Sequence, residues 1–191
     1  MAVAALGACG GEDSESAANG RLALDFQPNA VHAGIYAANL DVRVPSASTD
    51  SLKLLAAGRA DMSVVDIHDL GLARRQGADV VGVGALVQRP LAAVIARAGE
   101  VRRPRELEGR RVGVTGLPSD EAVLRAVVEH DGGDYARVRK VEIGFAAVPS
   151  LIGGRVDAVV SFWNAEGVAL RERGVETREF RVDEYGAPRY P

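Results

Sequence analysis

From residue 22 onward, short β-branched apolar runs alternate with segments whose apolar positions recur every three or four residues. This is the pattern of strands alternating with amphipathic helices, and it predicts an α/β fold built on a mainly parallel sheet. Strands are expected near 22–26, 40–44, 61–66, 80–87, 91–96, 111–115, 138–143, 157–162 and 178–182. In "TDSLKLLAAG", Leu52, Leu55 and Ala56 share one helical face behind a Ser48 or Thr49 cap, and Gly58 ends the helix. In "SDEAVLRAVVEHDGG", Ser119 is the expected cap. Asp120 and Glu121 fall in the first turn, where the helix dipole favours acids, and Gly132 and Gly133 close the segment.

The pattern repeats. "LAAGRADMSVVD" (Leu55 to Asp66) and "LIGGRVDAVVSF" (Leu151 to Phe162) share the order leucine, glycine, arginine, a small or branched residue, aspartate, apolar strand. Each is followed by a helix that ends on glycine, at Gly77 and Gly174. Chance similarity in an alanine- and arginine-rich chain is one reading of this echo; the other is two similar α/β lobes. On the second reading the chain divides into a first lobe over 22–97, a second over 98–185, and a return toward the first from 186 to 191. "VQRPLAAVIARAGEVRRPRELEG" is the expected crossing, with Pro90 and Pro104 suited to it.

Paired lobes bind ligands beyond the carboxyl ends of their strands, where loops and helix starts meet. Those ends hold Asp66 to Asp69, including His68, in the first lobe and Phe162 to Glu166 in the second. "DFQPNAVHAGIY" and "TGLPSDE", with Ser119, supply the remaining walls. Asp50, Asp66, Asp69, Asp120 and Glu166 make the expected cleft acidic, while Arg89 near the crossing is the one arginine expected at a strand tip. This balance disfavours an anionic ligand and suits a neutral or cationic heterocycle.

Composition narrows the classes further. A chain of 191 residues with 47% apolar content buries a real core. Its net charge of -3 gives no basic face for phosphates, so nucleic acid is not an expected partner. The single cysteine, Cys9, excludes a disulfide framework, and no metal-ligand spacing is present. No segment is long and apolar enough to span a membrane.

Cys9 closes the small apolar run "AVAALGAC" ahead of the polar stretch "GGEDSESAANG". The run resembles a bacterial lipobox, in which the cysteine receives a lipid and the polar stretch serves as a tether over residues 1–21. Only eight residues precede Cys9, fewer than an export signal needs, so an incidental thiol is the alternative.

Taken together, "LDFQPNAVHAGIYAA", "LLAAGRADMSVVD", "LEGRRVGVTG" and "FWNAEG" resemble the substrate-binding lipoproteins of ABC transporters related to thiamine-pyrimidine-precursor binding proteins and to the yeast pyrimidine precursor synthase. The resemblance covers most of residues 22–191. It implies a two-lobed, type II periplasmic-binding-protein fold that closes on a small ligand by hinge motion. It further implies delivery of an aminopyrimidine to a permease and its ATPase from the periplasmic or outer side of the membrane, with no cofactor, metal or catalysis.

An aminopyrimidine is flat, with a donating exocyclic amine and accepting ring nitrogens, so it needs an aromatic face and carboxylate or amide groups at its edge. Trp163, Asn164 and Glu166 supply all three at one strand end, and Asn29, His32 and Tyr36 form the expected opposing wall. For Trp163 the alternative is core or interlobe packing; for Glu166, a solvated first-turn acid; for His32, a packing residue at a helix start. Two other functions stay open. An alkanesulfonate or nitrate could be held at helix starts in "SASTDS" and "GLPSDE". A synthase-like enzyme would turn on His32, since in that branch the motif histidine donates pyrimidine atoms; Lys53 and Lys140 are the only lysines for such chemistry.

The chain departs from the family pattern in two places. Between Tyr36 and Leu40 the helix that should separate two parallel strands is shortened to two turns or damaged. At "YGAPRYP" the return to the first lobe is incomplete. The expectation is a truncated copy that retains the fold plan, exposes apolar sheet surface in the first lobe and does not close on ligand.

Overall fold

The structure, a computed structural model, describes residues 19–46 and 50–187. Cys9 and the expected Ser48 or Thr49 cap lie outside the described residues, as does the end of the chain from 188.

Two sheets form. The first has the order β2-β1-β3, with β1 at Arg21–Ala23, β2 at Asp41–Arg43 and β3 at Met62–Ser63, all parallel. The second has the order β6-β5-β7-β4-β8, with β4 at Ala92–Arg97, β5 at Arg111–Val114, β6 at Arg139–Glu142, β7 at Ala158–Phe162 and β8 at Thr177–Arg181. Here β5, β6 and β7 run parallel, while β4 is antiparallel to both β7 and β8. The first-lobe boundary expected at residue 97 therefore moves: β4 belongs wholly to the second sheet, and the chain crosses between lobes before residue 92.

The strand expected over 80–87 does not form among the described residues. Val81, Val83 and Leu86 are exposed, Gly82 and Gly84 interrupt the run, and the Arg74 guanidinium binds the Val80 carbonyl that a ladder would need. No described strand lies alongside to supply the other half of a ladder.

The sequence echo has a physical meaning. Asp61 accepts from the Arg21 backbone N–H at 2.9 Å, and its guanidinium pairs with the same carboxylate at 2.7 Å. Asp157 does the same for Arg111, at 2.8 Å for both contacts. Each aspartate thus clamps the start of the neighbouring parallel strand. The two glycines preceding these motifs, Gly58 and Gly154, adopt φ of +65° and +68°, which lets each chain leave its helix and turn back to the sheet. Helices α2 (Asp50–Ala56) and α5 (Ala147–Ile152) lead into the clamps, and α3 (Ile67–Arg75) and α6 (Glu166–Glu172) follow them.

The shortened first crossover is a 3-10 turn at Ala30–His32 running directly into α1 (Ala33–Ala37). Asn39, at φ +53°, reverses the chain into β2. The first core is correspondingly small: Leu22, Leu24 and Ile35, flanked by Leu40, Val42, Met62 and Val64. The second lobe buries two clusters. One lies between the sheet and α4 (Pro118–His130), through Val123, Leu124, Val127 and Val128; the other lies under α5 and α6, through Leu151, Val159 and Leu170.

Candidate ligand-binding cleft

The lobes meet where the carboxyl ends of their strands converge. Phe26, just past β1, reaches across to the second lobe and packs edge-on against Phe145 at 4.9 Å and Phe162 at 5.2 Å. The turn Phe26–Asn29 then forms one wall of a groove of about 740 Å³ whose other wall is Phe145, Val148, Ile152, Ala165 and Glu166. At a second contact point, α3 packs against α4.

Acids and one base stand near the aromatic trio: Glu166 and Arg173 both line the groove, and Asp25 directly precedes Phe26. Asp25 follows β1, and burial pushes its carboxyl above the ordinary range. Glu166 is buried; its Oε2 accepts from the Phe162 N–H at 3.1 Å, yet burial raises it too. Asp120 accepts from the N–H groups of Thr115 (2.7 Å), Gly116 (3.1 Å) and Leu117 (3.3 Å) and from the Thr115 hydroxyl (2.6 Å). Burial again outweighs those bonds and raises its carboxyl. Asn164 places Oδ1 in the interior with no hydrogen-bond partner in the protein, an acceptor that wants a donor.

The structure places the sequence-predicted residues as follows. Asn29 and Glu166 line the groove. Asn29 also caps the 3-10 turn, accepting from the Val31 N–H at 3.1 Å. His32 is buried, 2% exposed, and its Nδ1 accepts from the Asn29 N–H at 3.3 Å. That bond assigns the neutral ring's proton to Nε2, which faces Asp25 Oδ1 at 4.0 Å. Burial lowers the imidazole's affinity for a second proton. Tyr36 is 49% exposed and does not line the groove. Asp66 caps α3 through the His68 N–H at 2.8 Å, and the His68 ring returns to the same carboxylate at 2.9 Å.

Trp163 serves the junction between lobes. Its backbone N–H donates to Leu91 O at 3.1 Å, its indole Nε1 donates to Pro90 O at 3.3 Å, and the Arg181 guanidinium covers its ring at 4.3 Å. Arg89 beside it pairs with Asp183 at 2.6 Å. Ser119 does not cap its own helix: α4 begins at Pro118, and both donors of Ser119 go to Asp69 in the first lobe. Asp25, Phe26 and Phe145 were not expected as individual site residues, whereas Asp69 was expected among the cleft acids and instead bonds Ser119 of the other lobe. Asp25 and Phe26 were within reach, because they sit inside the quoted motif at the strand end.

A family model described as NMT1/THI5 like matches residues 29–191. The chain belongs to this family. A formylaminopyrimidine-binding protein of Halalkalibacterium halodurans is 34% identical over 93% of this chain and 58% of the relative. The chain therefore spans a little over half the length of that curated relative. Among solved structures, the periplasmic aliphatic sulphonate binding protein of Escherichia coli aligns with a TM-score of 0.64 at 17% identity, covering 84% of this chain and 59% of that one. The alkanesulfonate-binding protein of Xanthomonas axonopodis pv. citri, bound to MOPS, aligns with a TM-score of 0.67 at 21% identity, covering 85% and 60%. These likenesses give this NMT1/THI5-like chain the two-lobed type II periplasmic-binding-protein fold. Among the described residues, no helix is long and apolar enough to cross a membrane, and no group of three or more His, Cys, Asp or Glu could hold a metal ion.

Proposed function

We propose that this chain is the ligand-binding part of an ABC importer's substrate-binding protein, and that it takes a thiamine pyrimidine precursor or a closely similar aminopyrimidine between its lobes. The observation that carries this reading is the interlobe groove lined by Phe26, Asn29, Phe145 and Glu166, with the raised carboxyls of Asp25 and Glu166 and a buried, unpaired Asn164 Oδ1 two residues beyond Phe162. Such a cleft asks for hydrogen-bond donors on a flat ring, which an exocyclic amine and a formylated amine supply. Kinship with a formylaminopyrimidine-binding protein supports the same choice.

The ring packs against Phe26, Phe145 and Phe162, with Asn164, Glu166, Asp25 and Asn29 at its edge. His32 fixes the Asn29 turn from behind, and Trp163 holds the crossing at Pro90 and Leu91. Asp66 and His68 stand at the mouth of the first lobe. The protein performs no chemistry: Lys140 is engaged with Glu121 at 2.6 Å and with the Tyr135 hydroxyl, and His32 is sealed into the first-lobe core. In the working assembly Cys9 carries the lipid, the cleft faces the periplasm or cell exterior, and a permease with its ATPase receives the ligand.

An alkanesulfonate or nitrate fits less well. The first amide of α4, which would hold an anion, is answered by Asp69, and Glu166 offsets the charge of Arg173 in the groove. A thermal-shift panel of a formylaminopyrimidine, an alkanesulfonate and nitrate tests the reading. At about a hundredfold excess over Kd, the pyrimidine should raise Tm by about 5 °C or more. Stabilisation by the sulfonate or nitrate alone would overturn the assignment.

A further inference from the structure

Helices α3 and α4 meet across the lobe boundary through their first turns, where each carries a partial positive charge. Asp69 lies between them. It belongs to the first turn of α3, where an acid is ordinarily exposed, yet it is only 5% exposed. Its Oδ2 accepts from the Ser119 hydroxyl at 2.8 Å and its Oδ1 from the Ser119 N–H at 3.3 Å.

Pro118 at the first position of α4 has no N–H, so Ser119 offers the first amide of that helix. Asp120, which could have answered it, is instead turned toward Thr115, Gly116 and Leu117. The carboxylate of one lobe therefore caps a helix of the other. Parting the lobes would return Asp69 and both Ser119 donors to water and leave the second lobe without this cap.

We propose that Asp69 and Ser119 form a latch that closes the two lobes without help from ligand. It works alongside the apolar contact of Phe26 with Phe145 and Phe162, on the α3–α4 side of the lobe boundary. The latch rests on reading the molecule as a closing two-lobed binder, but not on the identity of its ligand. Asp69 and Ser119 are positioning residues: they set how often the ligand-ready, closed arrangement is populated, and the apparent affinity follows that population.

Small-angle X-ray scattering of the ligand-free 191-residue chain, with wild type beside Ser119→Ala, Asp69→Ala and the double variant, tests the latch. Circular dichroism checks that each variant is folded. Losing a hydrogen bond to a carboxylate should shift the closed-to-open ratio by about tenfold or more. Each single variant should therefore show a larger radius of gyration than wild type, and the double variant should be no larger than the more open single one. Should Asp69→Ala fail to fold, Ser119→Ala, which removes one hydroxyl, carries the comparison. Folded single variants with the wild-type radius would overturn the latch, as would additive increases in the double variant. Failure of a formylaminopyrimidine to bind wild type would instead overturn the ligand reading, because the scattering comparison uses no ligand.

Discussion

Phe26 and Tyr36 lie ten residues apart in one motif, and the fold gives them opposite surroundings. Phe26 touches two aromatic rings of the other lobe, whereas Tyr36 is half exposed on α1. Phe26→Ala should weaken aminopyrimidine binding about tenfold or more, and Tyr36→Ala by less than about threefold, as read by isothermal titration. Asp25 permits a test by pH. Its folded carboxyl is raised by burial, so the stabilisation from its proton is present below the unfolded value of about 4 and is lost as pH rises through the folded value. Asp25→Asn should therefore melt above wild type at pH 7, with the gap closing toward pH 4. A gap that stays constant across that range would show that burial of charge is not its cause.

Among the elements, the repeat ending in Asp61 and Asp157 was legible in the sequence as a repeat, but its action as a strand clamp was not. Arg21 and Arg111, their distant partners, were not visible, since each sits forty or more residues away. The antiparallel placement of β4 was also hidden, as local periodicity carries no information about which sheet a buried run joins. Likewise, the run at 80–87 has strand composition, but no described strand pairs with it. The Arg21 pairing holds Asp61 down to about 2, the opposite case from Asp25. Its contribution is present above the unfolded carboxylate value and disappears as pH falls toward about 2. Asp61→Asn should thus lower Tm at pH 7 and match wild type near pH 2; a deficit that persists there would mean the clamp is not electrostatic.

At the scale of the whole molecule, the α/β class and the paired lobes were readable from the chain, because strands alternating with amphipathic helices leave a periodic signature that recurs along it. The lining of the cleft was less so. Trp163 carries every attribute of a stacking residue in sequence, yet its ring and indole N–H are engaged by Arg181 and Pro90, contacts that only the tertiary fold creates. Phe26 was read as the end of a strand, although the chain folds it into the neighbouring lobe. With the lobes joined at both the Phe26 and Asp69 contacts, the described residues carry the two faces between which a ligand would close. Isothermal titration of the 191-residue chain with a formylaminopyrimidine, beside an alkanesulfonate, tests this account most directly. Against the expectation from the sequence that this copy does not close on ligand, we predict saturable binding of the pyrimidine with Kd in the micromolar range or tighter, on the order of 10⁻⁶ M, and none of the sulfonate. Sulfonate binding without pyrimidine binding, or no binding of either by folded protein, would contradict it.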